Sequence, residues 1–390
     1  MTNEVAIILT LSAIIFTSPL LSRLTRIPTI PIEIILGSII VSLEIIQKNH
    51  IFTLVAELGF LYLMFLAGLE VDLKKLFKVS PIILKKGLLY TSLLYFISTI
   101  FCLYFDLAKI FIVTLPLISI GLLAALKKEY GDQPWINMAI TIGLIGEIVS
   151  IIVLTIVSAR LEFGMGAEFY STLIELTLVF IGIAVSYKLF HNLIWWYPEI
   201  KTYLMPKYDT QEQDIRVSMS IFFLIIALML HLHLEVALGA FIAGVFIATF
   251  FEHNKGLPKK LEHFGFGWLV PIFFIWVGTS FELKSLLLPN LINYSLLIVF
   301  AMISLRLISS MLFVKEIGFK GSILLALSHS MPLTLIVAVA TLALHSNSIT
   351  PFYYYVFILS AILEVIIAML LIKIANRLKE KEDRTNKEIS

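Results

Sequence analysis

The chain has 390 residues, 59% of them hydrophobic and 14% charged, and its mean hydropathy is +0.98. Soluble domains run nearer to about 45–50% apolar and about 25% charged, so a water-facing surface cannot be built from this composition. A net charge of +2, with basic residues scattered over short connections, excludes a nucleic-acid footprint, and the lone Cys102 excludes a disulfide framework or a cysteine-ligated metal.

The apolar residues fall into runs long enough to cross a hydrocarbon core of ~30 Å, which predicts an all-α membrane protein of about 13 transmembrane helices. The opening Met1-Thr2-Asn3-Glu4 lacks a basic signal-peptide region, so the first span, 5–22, is expected to stay in the mature chain. Spans 29–46, 52–69 and 82–105 follow. The fifth, 109–126, carries Pro116, Ser119 and Gly121, and the sixth, 135–159, carries Glu147 at its middle. A seventh, 169–190, reads as a linker helix before the polar connection 191–215. Then come 216–231, 233–251, 264–281, 290–313 with Arg306, 320–343 with Ser328-His329-Ser330 and Pro332, and 352–376 with Glu364. The predicted organisation is one membrane domain, 1–376, with repeat one at about 5–159, repeat two at about 216–376, and a charged tail, 377–390.

Of the 29 Lys and Arg residues, 24 lie in one set of alternating connections or at the C-terminal end, and Lys48, Lys109, Arg160 and Lys284 lie in the other. This bias predicts an external N-terminus and a cytoplasmic C-terminus. An internal repeat is also visible. Gly68-x3-Asp72-Leu73 returns as Gly278-x3-Glu282-Leu283, Pro116 as Pro332 and Glu147 as Glu364, at offsets of 210, 216 and 217. Each pair is seven spans apart, so the copies cross the bilayer in opposite directions, the inverted-repeat pattern of secondary transporters.

An ionisable group in mid-bilayer costs at least ~2.5–3.5 kcal/mol on insertion scales and needs a reason to be there. Glu147 can exchange a proton for a small hard cation, which oxygen ligands suit. Arg306 keeps its charge and should pair with Glu147 or Glu364, either structurally or as part of coupling. Glu364 reads either as a second titrating site or as that partner. Pro116 and Pro332 each remove an amide donor, so their helices can break at membrane depth and line a polar cavity, unless they only kink. Hydroxyls of Ser119, Ser328 and Ser330 are candidate cation ligands. His329 is either a modulator near neutral pH or a histidine bonded to a neighbouring helix. No Walker A sequence, dinucleotide fingerprint or nucleophile elbow is present, so neither an enzyme nor a cofactor is expected.

Three segments carry a family resemblance: Ala56-Glu57-Leu58-Gly59 with Phe65-Leu66-Ala67-Gly68-Leu69-Glu70-Val71-Asp72, then Ala237 to Gly244, then Val270 to Gly278 followed by Glu282-Leu283. Together they resemble the monovalent cation:proton antiporter-2 family, from the first span to the last. The resemblance implies a thirteen-helix sodium/proton antiporter fold with inverted repeats and two broken crossing helices, a dimerisation domain and a core domain, elevator-like transport and homodimers. It also implies that Gly146-Glu147 stands where the family has Asn-Asp, Asp-Asp or Gln-Asp. Ser119-Ile120 stands for a Ser-Thr pair, Arg306 for the basic residue of the eleventh helix, and Met331-Pro332 for a polar stretch that is often Gly-Glu.

The expected function is therefore secondary-active exchange of a monovalent cation, sodium or potassium, bound at Glu147, for a proton in the cell membrane. The bilayer and a second copy of the chain are the expected partners. The replaced residues keep open a channel-like or uniport-like protein, or a regulatory one, on the same scaffold.

Overall fold

The structure, a computed structural model, describes residues 3–25, 27–46, 49–70, 80–120, 123–163, 211–232, 236–251, 256–281 and 283–389, with 234, 254 and scattered positions between 166 and 199. Among them there are helices and no strand. In chain order these are α1 (Asn3–Thr25), α2 (Thr29–Ser42), α3 (His50–Glu70) and α4 (Pro81–Tyr104). The fifth predicted span is split into α5 (Ile110–Thr114) and α6 (Leu123–Tyr130), and α7 (Pro134–Phe163) follows. After α8 (Gln213–His231) and α9 (Val236–Phe250), α10 (Leu257–Phe264) runs through a π-helical turn, Gly265–Leu269, into α11 (Val270–Thr279). The last four are α12 (Leu291–Ser310), α13 (Val314–His329), α14 (Leu333–His345) and α15 (Pro351–Ile389).

Each predicted span other than 169–190 coincides with helix, although the tenth begins earlier, at Leu257. The expected linker helix 169–190 falls where only scattered positions are described. Among the described residues seven continuous helices are long and apolar enough to cross a membrane, α10–α11 and α12–α13 each counting as one. The run from α12 into α13 is broken at Gly318, whose φ of 73° and ψ of 168° interrupt helical geometry. That conformation is nearly closed to any residue with a Cβ.

The chain divides into two compact units. Unit 1 comprises Met1–Leu21, Ile32–Lys78 and Thr155–Ser280, and unit 2 comprises Ser22–Pro31, Val79–Leu154 and Phe281–Ser390.

Unit 1 is built on two glycine crossings. Where α2 meets α11, a Cβ on Gly37 would lie 2.3 Å from the Ile275 carbonyl oxygen, and one on Gly278 2.1 Å from that of Ile34. Where α3 meets α9, a Cβ on Gly68 would lie 2.0 Å from the Phe241 carbonyl oxygen, and one on Gly244 2.1 Å from that of Phe65. The second crossing is a copy of the first: adding 207 carries Ile34 and Gly37 onto Phe241 and Gly244, and adding 210 carries Phe65 and Gly68 onto Ile275 and Gly278. Small residues let membrane helices approach backbone to backbone. The inverted repeat is thus written in atomic contacts as well as in sequence, although the Asp72 and Glu282 of the repeated motif lie outside the described residues.

Unit 2 holds the broken helices. Its α4 starts with Ser80, whose Oγ accepts from the Ile83 amide at 3.3 Å, and with Pro81 in the first turn, where a missing donor costs nothing. Helices α12, α13, α14 and α15 pack on one another, and α12 also packs on α4.

Candidate ion-binding site

The first break follows from Pro116, which has no amide for the carbonyl of Ile112 and whose ring crowds it. Ser98 on α4 supplies the missing donor, its Oγ bonding the Ile112 carbonyl at 3.0 Å and that of Phe111 at 3.3 Å. From Leu117 to Ile120 the chain lies outside helix, and helix resumes at Leu123. The amides of Ile118 and Ile120 both face α7. The Ile118 amide donates to Ser150 Oγ at 3.0 Å, and the Ile120 amide to Glu147 Oε2 at 3.4 Å. Between them, Ser119 Oγ donates to Glu147 Oε1 at 3.3 Å. Gly143 and Gly146 clear the way on α7: a Cβ on Gly146 would come within 2.4 Å of Ile118, and one on Gly143 within 2.7 Å of Ile120.

The second break lies between His329 and Leu333, with Pro332 just before α14. Its hydroxyls turn back on their own helix, Ser328 Oγ to the Leu325 carbonyl at 2.7 Å and Ser330 Oγ to that of Ala326 at 3.0 Å. Their lone pairs are left for other work. His329 joins three helices. Its Nε2 lies 2.8 Å from the Ala139 carbonyl on α7, and its Nδ1 lies 3.1 Å from the Tyr90 hydroxyl on α4. A carbonyl only accepts, so Nε2 carries the hydrogen, and Nδ1 of the neutral ring accepts from Tyr90. The same Nε2 would stand 3.2 Å from a Cβ on Gly143, so both breaks come together at that glycine.

Three charged side chains lie in this core, Glu147, Arg306 and Glu364, none more than 1% exposed. Arg306 is committed in two directions. Its Nη1 donates to the Met302 carbonyl at 2.7 Å and reaches Glu364 Oε1 at 3.5 Å, while Nη2 donates to the Leu117 carbonyl at 2.6 Å. The pairing left open by the sequence therefore falls on Glu364. Glu147 has a hydroxyl and an amide as donors and no ion-pair partner among the described residues. Among the described residues, Arg306 Nε and Glu364 Oε2 are buried without hydrogen-bond partners.

Of the candidates named from sequence, Ser119 and Glu147 touch, Arg306 and Glu364 touch, and Pro116 and Pro332 sit at the two breaks. His329 is bonded to neighbouring helices, and Gly121 lies outside the described residues. Ser150, Ser98, Gly143 and Tyr90 were not singled out, though Ser150 lies one turn beyond Glu147 on the same face. Glu33 in unit 1 is a further carboxylate within an apolar run. It is buried in α2 and accepts from Ser18 Oγ at 3.2 Å.

Two interrupted helices packed on one helix that carries a buried carboxylate, in a fold of inverted repeats, define a secondary transporter. The family model described as "Sodium/hydrogen exchanger, transmembrane" matches residues 10–375, and the chain belongs to that family of multi-pass membrane antiporters. It is 29% identical over 329 residues to the probable Na(+)/H(+) antiporter 3 of Methanocaldococcus jannaschii, covering 79% of each chain. It is 27% identical to the putative Na(+)/H(+) antiporter YjbQ of Bacillus subtilis, covering 73% of this chain and 48% of that one. With the high-affinity Na(+)/H(+) antiporter NhaS3 of Synechocystis the identity is 28%, over 65% of this chain and 56% of that one. The chain thus spans about half the length of the last two relatives. Its fold matches the sodium proton antiporter MjNhaP1 of Methanocaldococcus jannaschii with a TM-score of 0.67 over 97% of this chain and 99% of that one, at 17% identity.

Proposed function

We propose that this chain exchanges sodium for protons, one for one, at Glu147. One observation carries the reading. Of the three charged side chains beside the breaks, the guanidinium is taken up by Glu364 and two carbonyls, which leaves Glu147 with a hydroxyl, an amide and no opposite charge among the described residues. A carboxylate so placed needs either a proton or a cation, and the two exclude one another. Ser119 Oγ, which already reaches Glu147 Oε1 at 3.3 Å, is the first additional ligand for a hard cation. Carbonyls released near Pro116 and Pro332 are the natural remainder. Arg306 keeps its charge throughout and Glu364 answers it, so one cation replaces one proton without net charge movement.

The same reading takes the protein as a homodimer in the cell membrane, with the N-terminus outside and the C-terminus in the cytoplasm, as the Lys and Arg bias supports. Alternating access would come from an elevator movement of the helices that hold Glu147. The test is proton-coupled sodium flux in liposomes containing the purified chain. Glu147→Gln is expected to abolish pH-gradient-driven uptake, and undiminished uptake would refute the assignment. Clamping the membrane potential should leave the wild-type rate unchanged. A potential-dependent rate would mean that Glu364 also cycles a proton.

A further inference from the structure

The peptide bond between Leu117 and Ile118 is held from both sides. A planar trans peptide points its carbonyl and its amide hydrogen in opposite directions. Here the Leu117 carbonyl accepts from Arg306 Nη2 on α12 at 2.6 Å, and the Ile118 amide donates to Ser150 Oγ on α7 at 3.0 Å. The residues of the break keep only turn bonds at its ends, Leu117 N–H to the Thr114 carbonyl at 3.3 Å and Leu123 N–H to that of Ile120 at 2.8 Å, so groups from α7 and α12 hold the backbone between them. The next residue supplies the hydroxyl that reaches Glu147, and the one after it the amide.

We propose that Ser150 is a positioning residue for the exchange reaction, fixing with Arg306 the 117–118 peptide and thereby setting Ser119 and Ile120 against Glu147. The inference rests on Glu147 carrying the exchanged ion, but it assigns to Ser150 a task of its own. The geometry leaves little tolerance. At 3.3 and 3.4 Å, the two contacts to Glu147 are near the long end of hydrogen bonding, so a small shift of the segment loses both. Gly146 gives the segment room but has no side chain to anchor it, and Ser150, one turn beyond Glu147 on that face of α7, holds the segment's backbone ahead of the Ile120 amide that Glu147 itself takes. Among the described residues no hydrogen bond joins Ser150 to Glu147, and Ser150 acts through the segment.

The test compares Ser150→Ala, Ser150→Thr, Ser119→Ala and the Ser150→Ala/Ser119→Ala pair in liposomes, with thermal melts of each purified variant. Leaving the Ile118 amide unsatisfied should raise the apparent KM for sodium by roughly 5- to 30-fold in Ser150→Ala, with a smaller change in kcat. Ser150→Thr, which keeps the hydroxyl, should restore most of the affinity. Because both alanine variants act through the same contact, the pair should be no worse than the more affected single variant. An unchanged KM in Ser150→Ala overturns the proposal, and so do effects that multiply in the pair. If Ser150→Ala does not fold, Ser150→Cys is read the same way. Loss of fold in both would make the residue a structural one and overturn the positioning role. Glu147→Gln is run beside them: residual exchange in that variant defeats the reading of Glu147, whereas a dead Glu147→Gln beside an unaffected Ser150→Ala defeats only the role of Ser150.

Discussion

Arg306 and Glu364 face each other at 3.5 Å with both side chains buried, and each leaves one polar atom, Nε and Oε2, without a hydrogen-bond partner among the described residues. The guanidinium is bound more closely to two carbonyls than to the carboxylate. Removing one member of a buried ion pair costs about 3–5 kcal/mol. Arg306→Met loses the Leu117 and Met302 bonds as well as the charge, whereas Glu364→Gln keeps an acceptor of the same shape. Thermal melts of the detergent-solubilised variants should therefore rank Arg306→Met well below Glu364→Gln. The opposite ranking would show that the carbonyl bonds contribute little.

The two glycine crossings of unit 1 predict matched behaviour. In Gly244→Ala and Gly278→Ala the new methyl meets backbone oxygen at 2.1 Å in both cases. Overpacking of this kind costs about 1–3 kcal/mol, and backbone that cannot move aside puts both variants at the upper end. Gly267, with nothing within 4 Å of its Cβ position, is the control, and its alanine variant should stay within about 0.5 kcal/mol of wild type. Melts of the three variants check this together.

Shortening the carboxylate tests how closely the site is set. Glu147→Asp withdraws the oxygens by one methylene from Ser119 Oγ and the Ile120 amide, contacts already at 3.3 and 3.4 Å. Exchange should persist with a weaker sodium affinity, by roughly tenfold if about 1.4 kcal/mol of contact is lost. Initial rates over a sodium titration measure it. Complete loss of activity would mean that side-chain length is itself essential.

Tyr90→Phe removes the donor to His329 Nδ1 and leaves the tilted ring contact in place. The expected result is a stability loss of about 1 kcal/mol with the sodium affinity intact. A raised KM would draw His329 into the transport step itself.

Much of this protein could be read before any coordinates. Runs of apolar residues give the helices because a bilayer leaves the backbone few alternatives. Glu147, Arg306, Glu364 and the two prolines were conspicuous because each is costly in a lipid-facing helix. The rest was illegible for a physical reason. Ser150 and Ser98 are ordinary helix residues in an apolar run, and only the path of the broken segment makes one an acceptor and the other a donor. Whether Arg306 answers Glu147 or Glu364 depends on helix rotation, which a spacing of 217 residues does not convey. The crossings of Gly37 with Gly278 and of Gly68 with Gly244 are the intermediate case. The glycines are plain in the sequence, but their pairing appears only when the offset between repeats is laid over the contacts.

Those crossings have a mechanical meaning. Helices that touch through interlocking side chains can slip by a notch, since rotamers give way. Where main chain rests directly on main chain at two equivalent points, no such cushion exists, and the scaffold on that side resists shear. Whatever motion carries an ion across must be accommodated away from those bare joints.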